Sequence, residues 1–359
     1  MLKSMGCLLA FALILGAGSA VSGDLGPGSG EWSLVALGDC MPGLVYEDEL
    51  AKGLNPFRNI APFIKGADVA VANLEGPLTS RGTRVRGKQF IFRCDPARAA
   101  MLRESGIGVV GLANNHILDY GPVGLSDTIG ALSGAGVSWC GAGDNLESAR
   151  RPAFKVVRGV RVAFLSYNRT LPASYWAGLR RPGTAFADPA YIREDVAKAR
   201  AGNDRVIILV HWGREKSYSL RDYQRVVSRA ASEAGADLVI GTHPHIPQGV
   251  EVIGRTVVVH SIGDGVFGGS PRRNVASLVL RATFGEQGLR RVELFPFETS
   301  NEGTGNAPKI QEGESARKTL ELVKGLSEEL GTRLSNAVSP EGFPSLTLEM
   351  PPPGDGKKD

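Results

Sequence analysis

Short apolar segments recur along the chain, and each is followed by a glycine or a polar residue. They are rich in Val and Ile, a composition typical of strands that are buried on both faces of a sheet. The pattern therefore predicts core strands at residues 33–37, 69–72, 109–113, 206–210 and 238–240.

Between these segments, apolar residues recur at helical spacing. This spacing predicts helices at residues 122–132, 191–201, 223–234 and 315–334. Three further segments predict β-hairpins. The hairpins span residues 154–166, turning at Arg158 and Gly159, 250–261, turning at Gly254 and Arg255, and 276–297, turning near Gly285. Strands that alternate with helices predict an α/β fold with mixed sheets.

The N-terminal residues have the pattern of a targeting segment. Lys3 precedes an apolar run at residues 7–15, and the small residues Gly18, Ser19 and Ala20 follow it. This order predicts a cleaved signal peptide and hence a secreted, periplasmic or envelope-associated protein. The alternative is an uncleaved membrane anchor, although the run is shorter than the roughly 20 residues that span a bilayer. We expect no other contact with a membrane.

The predicted organisation follows from these patterns. Apolar residues make up 42% of the chain, enough for a sizeable core, and the formal net charge is only +4. After signal removal three of the four cysteines remain, and in an oxidising compartment Cys94 and Cys140 could form a disulfide. No pair of cysteines has the close spacing of a zinc knuckle. We predict a signal peptide at 1–20, a linker at 21–31, one domain at 32–299, an extension with one helix at 300–350 and a disordered tail at 351–359.

Polar side chains follow each of the five predicted core strands. Because ligands bind beyond the carboxyl ends of strands in open α/β sheets, we expect these side chains to converge. Carboxylates, carboxamides and imidazoles together suit Mn, Fe or Zn and exclude a structural zinc site of thiolates. The residues that follow the strands are Asp39, Glu75, Asn114, Asn115, His116, His211, His243 and His245.

Each of these residues has a simpler interpretation when it is considered alone. Asp39 could cap a turn, Asn115 could occupy a left-handed turn, and His211 could be only hydrogen-bonded. The arrangement as a whole favours the metal site, because five separate strands end this way and use four of the five histidines. The fifth, His260, lies after an apolar run and is predicted either to be structural or to support a ligand from behind. Cys40, next to Asp39, could be a soft ligand, but a small buried side chain is the favoured interpretation.

The sequence resembles a known family in the order of its motifs. GDCMPG, NLEGPLT, GLANNHILDYGPVGL, HWGRE, GTHPHIPQ and SIGDGVF resemble the CapA family of capsule and poly-γ-glutamate synthesis proteins over roughly residues 32–268. This family is related to the calcineurin-like metallophosphoesterases. The resemblance implies a four-layer α/β/β/α sandwich of the metallophosphoesterase type, with a metal site at one edge of its two sheets.

The resemblance also implies roles for individual residues. It implies that Asp39 and His245 bind a first metal, that Glu75 bridges to a second, and that Asn115, His211 and His243 hold the second. His116 would be a proton donor or an electrostatic clamp. Two positions depart from the pattern of the relatives: Met41 stands where calcineurin-like enzymes have a histidine ligand, and Asp264 stands in place of a frequent Asn, either as an extra carboxylate or in a turn.

These features predict a metal-dependent hydrolase with one or two divalent ions that acts on an anionic envelope polymer or a phosphoester. A non-catalytic polymer-binding or capsule-assembly protein with a vestigial metal site remains the alternative. Envelope polymer-synthesis machinery is a possible partner, and we expect no nucleic-acid partner. A basic stretch between residues 79 and 94 is either a solvated loop or a rail for an anionic polymer. We expect substrate contacts from Asn73, Arg86, Arg93 and Glu215.

Overall fold

A computed structural model describes residues 30–43, 46–267, 276–299 and 307–351. The predicted signal peptide, most of the linker and almost all of the predicted tail lie outside these residues. Among the described residues, none of the helices has both the length and the apolar character that crossing a bilayer requires.

Two mixed β-sheets form the centre of the described structure. In the larger, ten-stranded sheet the order is β17-β18-β15-β14-β1-β2-β3-β4, with β13 beside β1 and β16 beside β15. Its strands are β1 (Trp32–Met41), β2 (Val69–Leu74), β3 (Val109–Gly111), β4 (Ser138–Cys140), β13 (Asp264–Phe267), β14 (Ala276–Gly285), β15 (Gly288–Glu298), β16 (Lys309–Ile310), β17 (Ser335–Val338) and β18 (Pro344–Glu349).

The second sheet has six strands in the order β11-β12-β10-β9-β7-β6. These are β6 (Ala153–Val157), β7 (Val160–Asn168), β9 (Arg205–His211), β10 (Leu238–Thr242), β11 (Val250–Ile253) and β12 (Thr256–Val259). A small separate pair is formed by β5 (Ala142–Gly143) and β8 (Gly183–Thr184). The five core strands and the three hairpins predicted from the sequence are therefore confirmed.

Helices cover the two outer faces of the sheets, and the last helix instead packs Leu320 and Val323 against the core between the sheets. They are α1 (Glu47–Ala51), α2 (Ala61–Lys65), α3 (Arg98–Glu104), α4 (Gly121–Ala135), α5 (Leu146–Ala149), α6 (Pro189–Gly202), α7 (Asp222–Glu233) and α8 (Gly313–Glu328). Buried residues of α2, α3 and α4 pack on the large sheet, and those of α6 and α7 pack on the second sheet. A third core, including Leu34 and Val71 from one sheet and Ile207 and Ile240 from the other, fills the space between the sheets. The predicted four-layer α/β/β/α sandwich is confirmed.

The C-terminal segment differs from the sequence-based prediction. Helix α8 ends at Glu328, six residues before the predicted end at 334, because Gly331 takes a left-handed φ of 79° and Leu334 is buried between the sheets. Residues 335–349, for which no strand was predicted, form the hairpin β17–β18, and β18 pairs with β15. The segment beyond residue 299 thus extends the large sheet, while the predicted domain boundaries stay predictions.

The described cysteines Cys40, Cys94 and Cys140 are free and buried. The disulfide that the sequence left open between Cys94 and Cys140 is therefore not formed. Burial raises the pKa of the Cys94 and Cys140 thiols to about 12, so both behave as small apolar side chains.

Candidate metal centre

The carboxyl ends of the core strands meet at one edge of the sandwich. Strands β1, β2 and β3 run parallel in the large sheet, and β9 and β10 run parallel in the second sheet. The two sheets are joined at this edge by the backbone N–H of His243, which donates to Oδ2 of Asp39 at 3.0 Å. Polar residues from five strands therefore share one small, mostly buried region.

Carboxylates and imidazoles cluster in this region in three overlapping groups. Within each group, one potential ligand atom from every residue lies within 4.8 Å of the others. Such spacing allows a single ion to be bound by the members of a group. The groups are Glu75, His211 and His243; Asp39, His245 and Asp264; and Glu215, His243 and His245.

Glu75 provides the test of whether a cation fits. Its side chain is fully buried, and among the described residues neither carboxylate oxygen has a hydrogen-bond partner. Its Oε1 lies 3.5 Å from Nε2 of His211 and 3.9 Å from Nε2 of His116. A buried carboxylate without hydrogen bonds is costly unless a cation compensates it. The donor set therefore fits a divalent cation.

Asp39 is held as an anion in the centre of the cluster. It accepts hydrogen bonds from Asn73 Nδ2 at 2.7 Å and from the backbone of His243. Burial alone would raise the pKa of Asp39, but the nearby His211 and His245 hold it well below its usual value. The carboxylate is therefore charged and oriented before any ion binds.

The three clustered histidines differ in their electrostatic surroundings. Burial opposes protonation of His211, but Glu75 and Asp39 outweigh burial and raise its pKa to about 9. Burial lowers the pKa of His243 well below its usual value, and its histidine neighbours add to this effect. For His245, Asp264 and Glu75 overcome burial and raise the pKa. A cation bound by His211 and His245 would displace their protons, so metal affinity would depend on pH, whereas the neutral His243 is ready to bind.

His116 lies beside the cluster and is held by a network of its own. Its Nδ1 lies 2.6 Å from Asp119 Oδ2 and 2.9 Å from Lys88 Nζ, and its ring stacks on Phe92 with 4.0 Å between centroids. Since Lys88 can only donate, and the carboxylate is closer and negatively charged, Nδ1 carries the proton that Asp119 accepts. Nε2 then faces Glu75.

Asp119 joins three segments of the chain around His116. Its Oδ1 accepts from Lys88 Nζ at 2.6 Å and from the Tyr175 hydroxyl at 3.0 Å, and its Oδ2 also accepts from the backbone of Phe92. Burial would raise the pKa of Asp119, but its bonds to His116 and Lys88 lower it. Sequence reasoning did not place Asp119 or Tyr175 beside His116, although Asp119 lies three residues after His116 in a quoted motif.

Asn114 was noted in the sequence but given no role. It is fully buried, and its side chain makes four hydrogen bonds. Its Oδ1 accepts from the backbones of His116 and Ile117, and its Nδ2 donates to Leu74 O and Asn73 Oδ1. Asn114 thus fixes the loop that carries Asn115, whose Oδ1 lies 2.7 Å from His211 Nε2.

The four residues predicted to contact substrate occupy different environments. Asn73 is buried and binds Asp39, so it lies behind a candidate ligand. Glu215 is exposed and belongs to a candidate ligand group with His243 and His245. Arg86 and Arg93 are exposed on the basic loop, with the Arg93 guanidinium 4.8 Å from the centre of the Tyr120 ring. Whether any of them binds substrate stays a prediction.

Met41 and Asp264 are the two positions that depart from the resemblance. Met41 is fully buried and packs in the core beneath the large sheet. Asp264 begins β13, lies opposite Asp39 in the parallel pair with β1, and has Oδ1 2.7 Å from Nδ1 of His245. Burial raises the pKa of Asp264 to about 6, although His245 opposes this shift. The structure thus brings Asp264 into the cluster and keeps Met41 in the core.

Known proteins resemble this chain over most of its length. The B. subtilis (strain 168) "PGA biosynthesis protein CapA" is 30% identical over 266 residues, covering 73% of this chain and 70% of that protein. The Bacillus anthracis "Capsule biosynthesis protein CapA" is 29% identical over 275 residues, covering 75% of this chain and 64% of that protein.

Solved structures of other proteins resemble the chain at much lower identity. A Haemophilus influenzae NAD nucleotidase is 11% identical, with a TM-score of 0.48 and coverage of 82% of this chain and 56% of that one.

The family described as "Bacterial capsule synthesis protein PGA_cap" matches residues 33–269, the region that contains every candidate ligand. The chain therefore belongs to the bacterial capsule synthesis protein family PGA_cap, as the resemblance to CapA proteins implied.

Proposed function

We propose that this protein is a metal-dependent hydrolase that cleaves an anionic envelope polymer or a phosphoester during capsule or poly-γ-glutamate production. The observation that carries the proposal is the buried Glu75 carboxylate, which has no hydrogen-bond partner among the described residues and faces His211. Without a metal ion the protonated His211 compensates this charge, and a bound divalent cation would take the place of that proton. The family and its named relatives supply the link to capsule and PGA synthesis.

The chain's own residues would hold one or two divalent ions of Mn, Fe or Zn. Asp39 and His245 would hold a first ion, Asn115, His211 and His243 a second, and Glu75 would be shared. When bound, the ions supply Lewis acidity to the scissile group and to water. The hydrogen bonds to Asp39 and the histidines fix these side chains in advance, which lowers the cost of assembling the site.

His116 would provide the proton for the leaving group. Because Asp119 accepts the Nδ1 proton, Nε2 is the nitrogen that faces the cluster and can hold a second proton for transfer. The bond to Asp119 would hold the ring with Nε2 directed towards the cluster. The stacked Phe92 ring shields one face of His116 and limits its rotation.

The surroundings of the site suit a negatively charged substrate. Lys88 anchors the basic loop beside His116 through Asp119, and the same loop carries the exposed Arg86 and Arg93. Exposed guanidinium groups form bidentate hydrogen bonds with carboxylates and phosphates, and their positive charge attracts a polyanion over longer distances. The apolar N-terminal run supports placement in the envelope or outside the cell, where capsule polymers are found.

A second candidate function is polymer binding or capsule assembly without catalysis. The observation that favours it is Met41, which lies in the core where the resemblance to calcineurin-like enzymes implies a histidine ligand. A first site that lacks a ligand would bind its ion weakly. This alternative predicts polymer binding without turnover.

The two functions are separated by comparing the wild type with His116→Ala, and with His260→Gln as a control histidine outside the cluster. We expect the metal-loaded wild type and the control to cleave bis(p-nitrophenyl) phosphate, poly-γ-glutamate or peptidoglycan. His116→Ala should keep its metal and lose turnover by ~100-fold or more. Equal turnover by His116→Ala would remove His116 from the mechanism, and intact substrates with retained polymer binding would establish the second function.

A further inference from the structure

Met41 contributes no ligand to the first ion's site, because its side chain packs in the core. The neighbouring strand supplies a replacement. Strands β1 and β13 run parallel, and Asp39 lies directly opposite Asp264. Side chains at paired positions of adjacent parallel strands point to the same face, so both carboxylates meet His245.

The backbone holds Asp264 closely at this position. A Cβ on Gly38 would lie 1.8 Å from Gly263 O, so only glycine allows β1 to approach the segment before Asp264. The Asp39 N–H donates to Gly263 O at 3.1 Å, and the Asp264 N–H donates to Ser277 Oγ at 2.9 Å. Asp264 is therefore a fixed member of the cluster and not part of a free turn.

We propose that Asp264 is a metal ligand, and that with Asp39 and His245 it forms a first site rich in oxygen that compensates for Met41. This inference rests on the proposed metal-dependent function and names one more ligand of it. Two buried carboxylates, Asp39 and Asp264, have oxygens 3.6 Å and 2.7 Å from Nδ1 of His245, and a divalent cation at this point would compensate their charge.

The same geometry predicts that the two sites prefer different metals. The first site offers carboxylate oxygens from Asp39 and Asp264 and a single imidazole, from His245. The second site has two imidazoles, from His211 and His243. Oxygen-rich sites suit Mn²⁺, and sites with more imidazole suit Zn²⁺ or Fe²⁺. The first site should therefore select Mn²⁺ over Zn²⁺ relative to the second.

A competing role for Asp264 is to orient the His245 ring without touching the ion. The two roles differ in their response to Asp264→Asn. The Asn amide oxygen can still accept from His245 Nδ1, so an orienting role survives this change, whereas a ligand that supplies charge does not. Asp264→Ala removes both properties.

The experiment is Mn²⁺ titration of the chelator-treated full chain, followed by electron paramagnetic resonance and calorimetry. Glu251→Gln serves as the matched control, because Glu251 also accepts from a buried histidine, His260 at 2.9 Å, outside the cluster. We expect two ions in the wild type and the control. In Asp264→Asn and Asp264→Ala, one ion should bind at least about tenfold more weakly, while the other is unchanged.

Near-ultraviolet circular dichroism checks that each variant is folded. Wild-type affinity for both ions in Asp264→Asn, or a single ion in the wild type, overturns the inference and leaves the proposed function standing. Failure of the folded wild type to bind Mn²⁺, Fe²⁺ or Zn²⁺ overturns both. Two ions of equal Mn²⁺-to-Zn²⁺ preference would contradict the predicted selectivity.

Discussion

Asp39 accepts a hydrogen bond from the backbone of His243, although 204 residues separate them in the chain. Asp39 lies two residues before the end of a strand of the large sheet, and His243 follows a strand of the second sheet. His243 has a left-handed φ of 95°, which is unfavourable for a residue with a side chain. The bond to Asp39 helps to hold this turn, so the two sheets are joined at the point where ligands are needed.

Asp39→Ala should therefore impair folding stability as well as metal binding. The change leaves Asn73 Nδ2 and the His243 N–H without their acceptor, and each lost partner costs about 1–3 kcal/mol. We expect a lower free energy of urea unfolding even in the presence of a chelator, together with loss of bound metal. Unchanged stability in chelator would show that the bond to His243 does not hold the turn.

Asn114→Ala should destabilise the protein without removing a candidate ligand. The Asn114 side chain is fully buried, and its four hydrogen bonds fix the loop of Asn115 and His116. We therefore expect the free energy of unfolding to fall by about 2–4 kcal/mol. Urea unfolding measures this loss, and Asn336→Ala on the exposed strand β17 is the control. A loss no larger than that of the control would contradict the role assigned to Asn114.

Tyr175→Phe tests the network behind His116. The change removes the hydroxyl that donates to Asp119 Oδ1 at 3.0 Å, which should cost about 1 kcal/mol of stability. Because Asp119 would then hold His116 less firmly, kcat should fall severalfold while metal content stays constant. Tyr218→Phe, at an exposed tyrosine, is the comparison; equal kcat values in the two variants would exclude Tyr175 from the network.

His260 should make the protein less stable as the pH falls. Burial lowers its pKa, and Glu251 offsets this effect only in part. The unfolded chain then takes up a proton near pH 6.5 that the folded chain binds only at lower pH, so stability is lost as the pH drops below about 6.5. The slope from this residue is at most about 1.4 kcal/mol per pH unit.

His260→Gln removes this titration and keeps a donor for Glu251. The free energy of unfolding, measured by urea at pH 7 and pH 5, should fall less in the variant than in the wild type. An equal fall in both proteins would assign the acid sensitivity to other groups.

The sequence was sufficient to predict the core strands and the residues that follow them, because buried parallel strands leave a strong local pattern. The roles of Asn73, Tyr175 and Lys88 could not be predicted in this way. They depend on contacts across 28 to 56 residues, such as the bond of Tyr175 to Asp119, and no local spacing encodes these contacts. Asp119 differs, because it lies three residues after His116 and the motif itself places the two side by side.

The C-terminal hairpin could not be predicted for a related reason. Strand β17 is largely exposed, and β18 is stabilised by pairing with β15, more than fifty residues earlier. Asp264 was recognised in the sequence, but its environment was not. Only the register of β13 against β1 decides that it faces His245 and does not simply form a turn.

Elemental analysis tests the central claim most directly, since the account depends on a cation bound where the strand ends converge. The wild type, His243→Ala and the control His260→Gln should be purified from metal-supplemented cultures and analysed by inductively coupled plasma mass spectrometry. We predict at least one equivalent of Mn, Fe or Zn in the wild type and the control, and a clear loss in His243→Ala. A folded wild type without metal, or the same metal content in His243→Ala, would contradict the account.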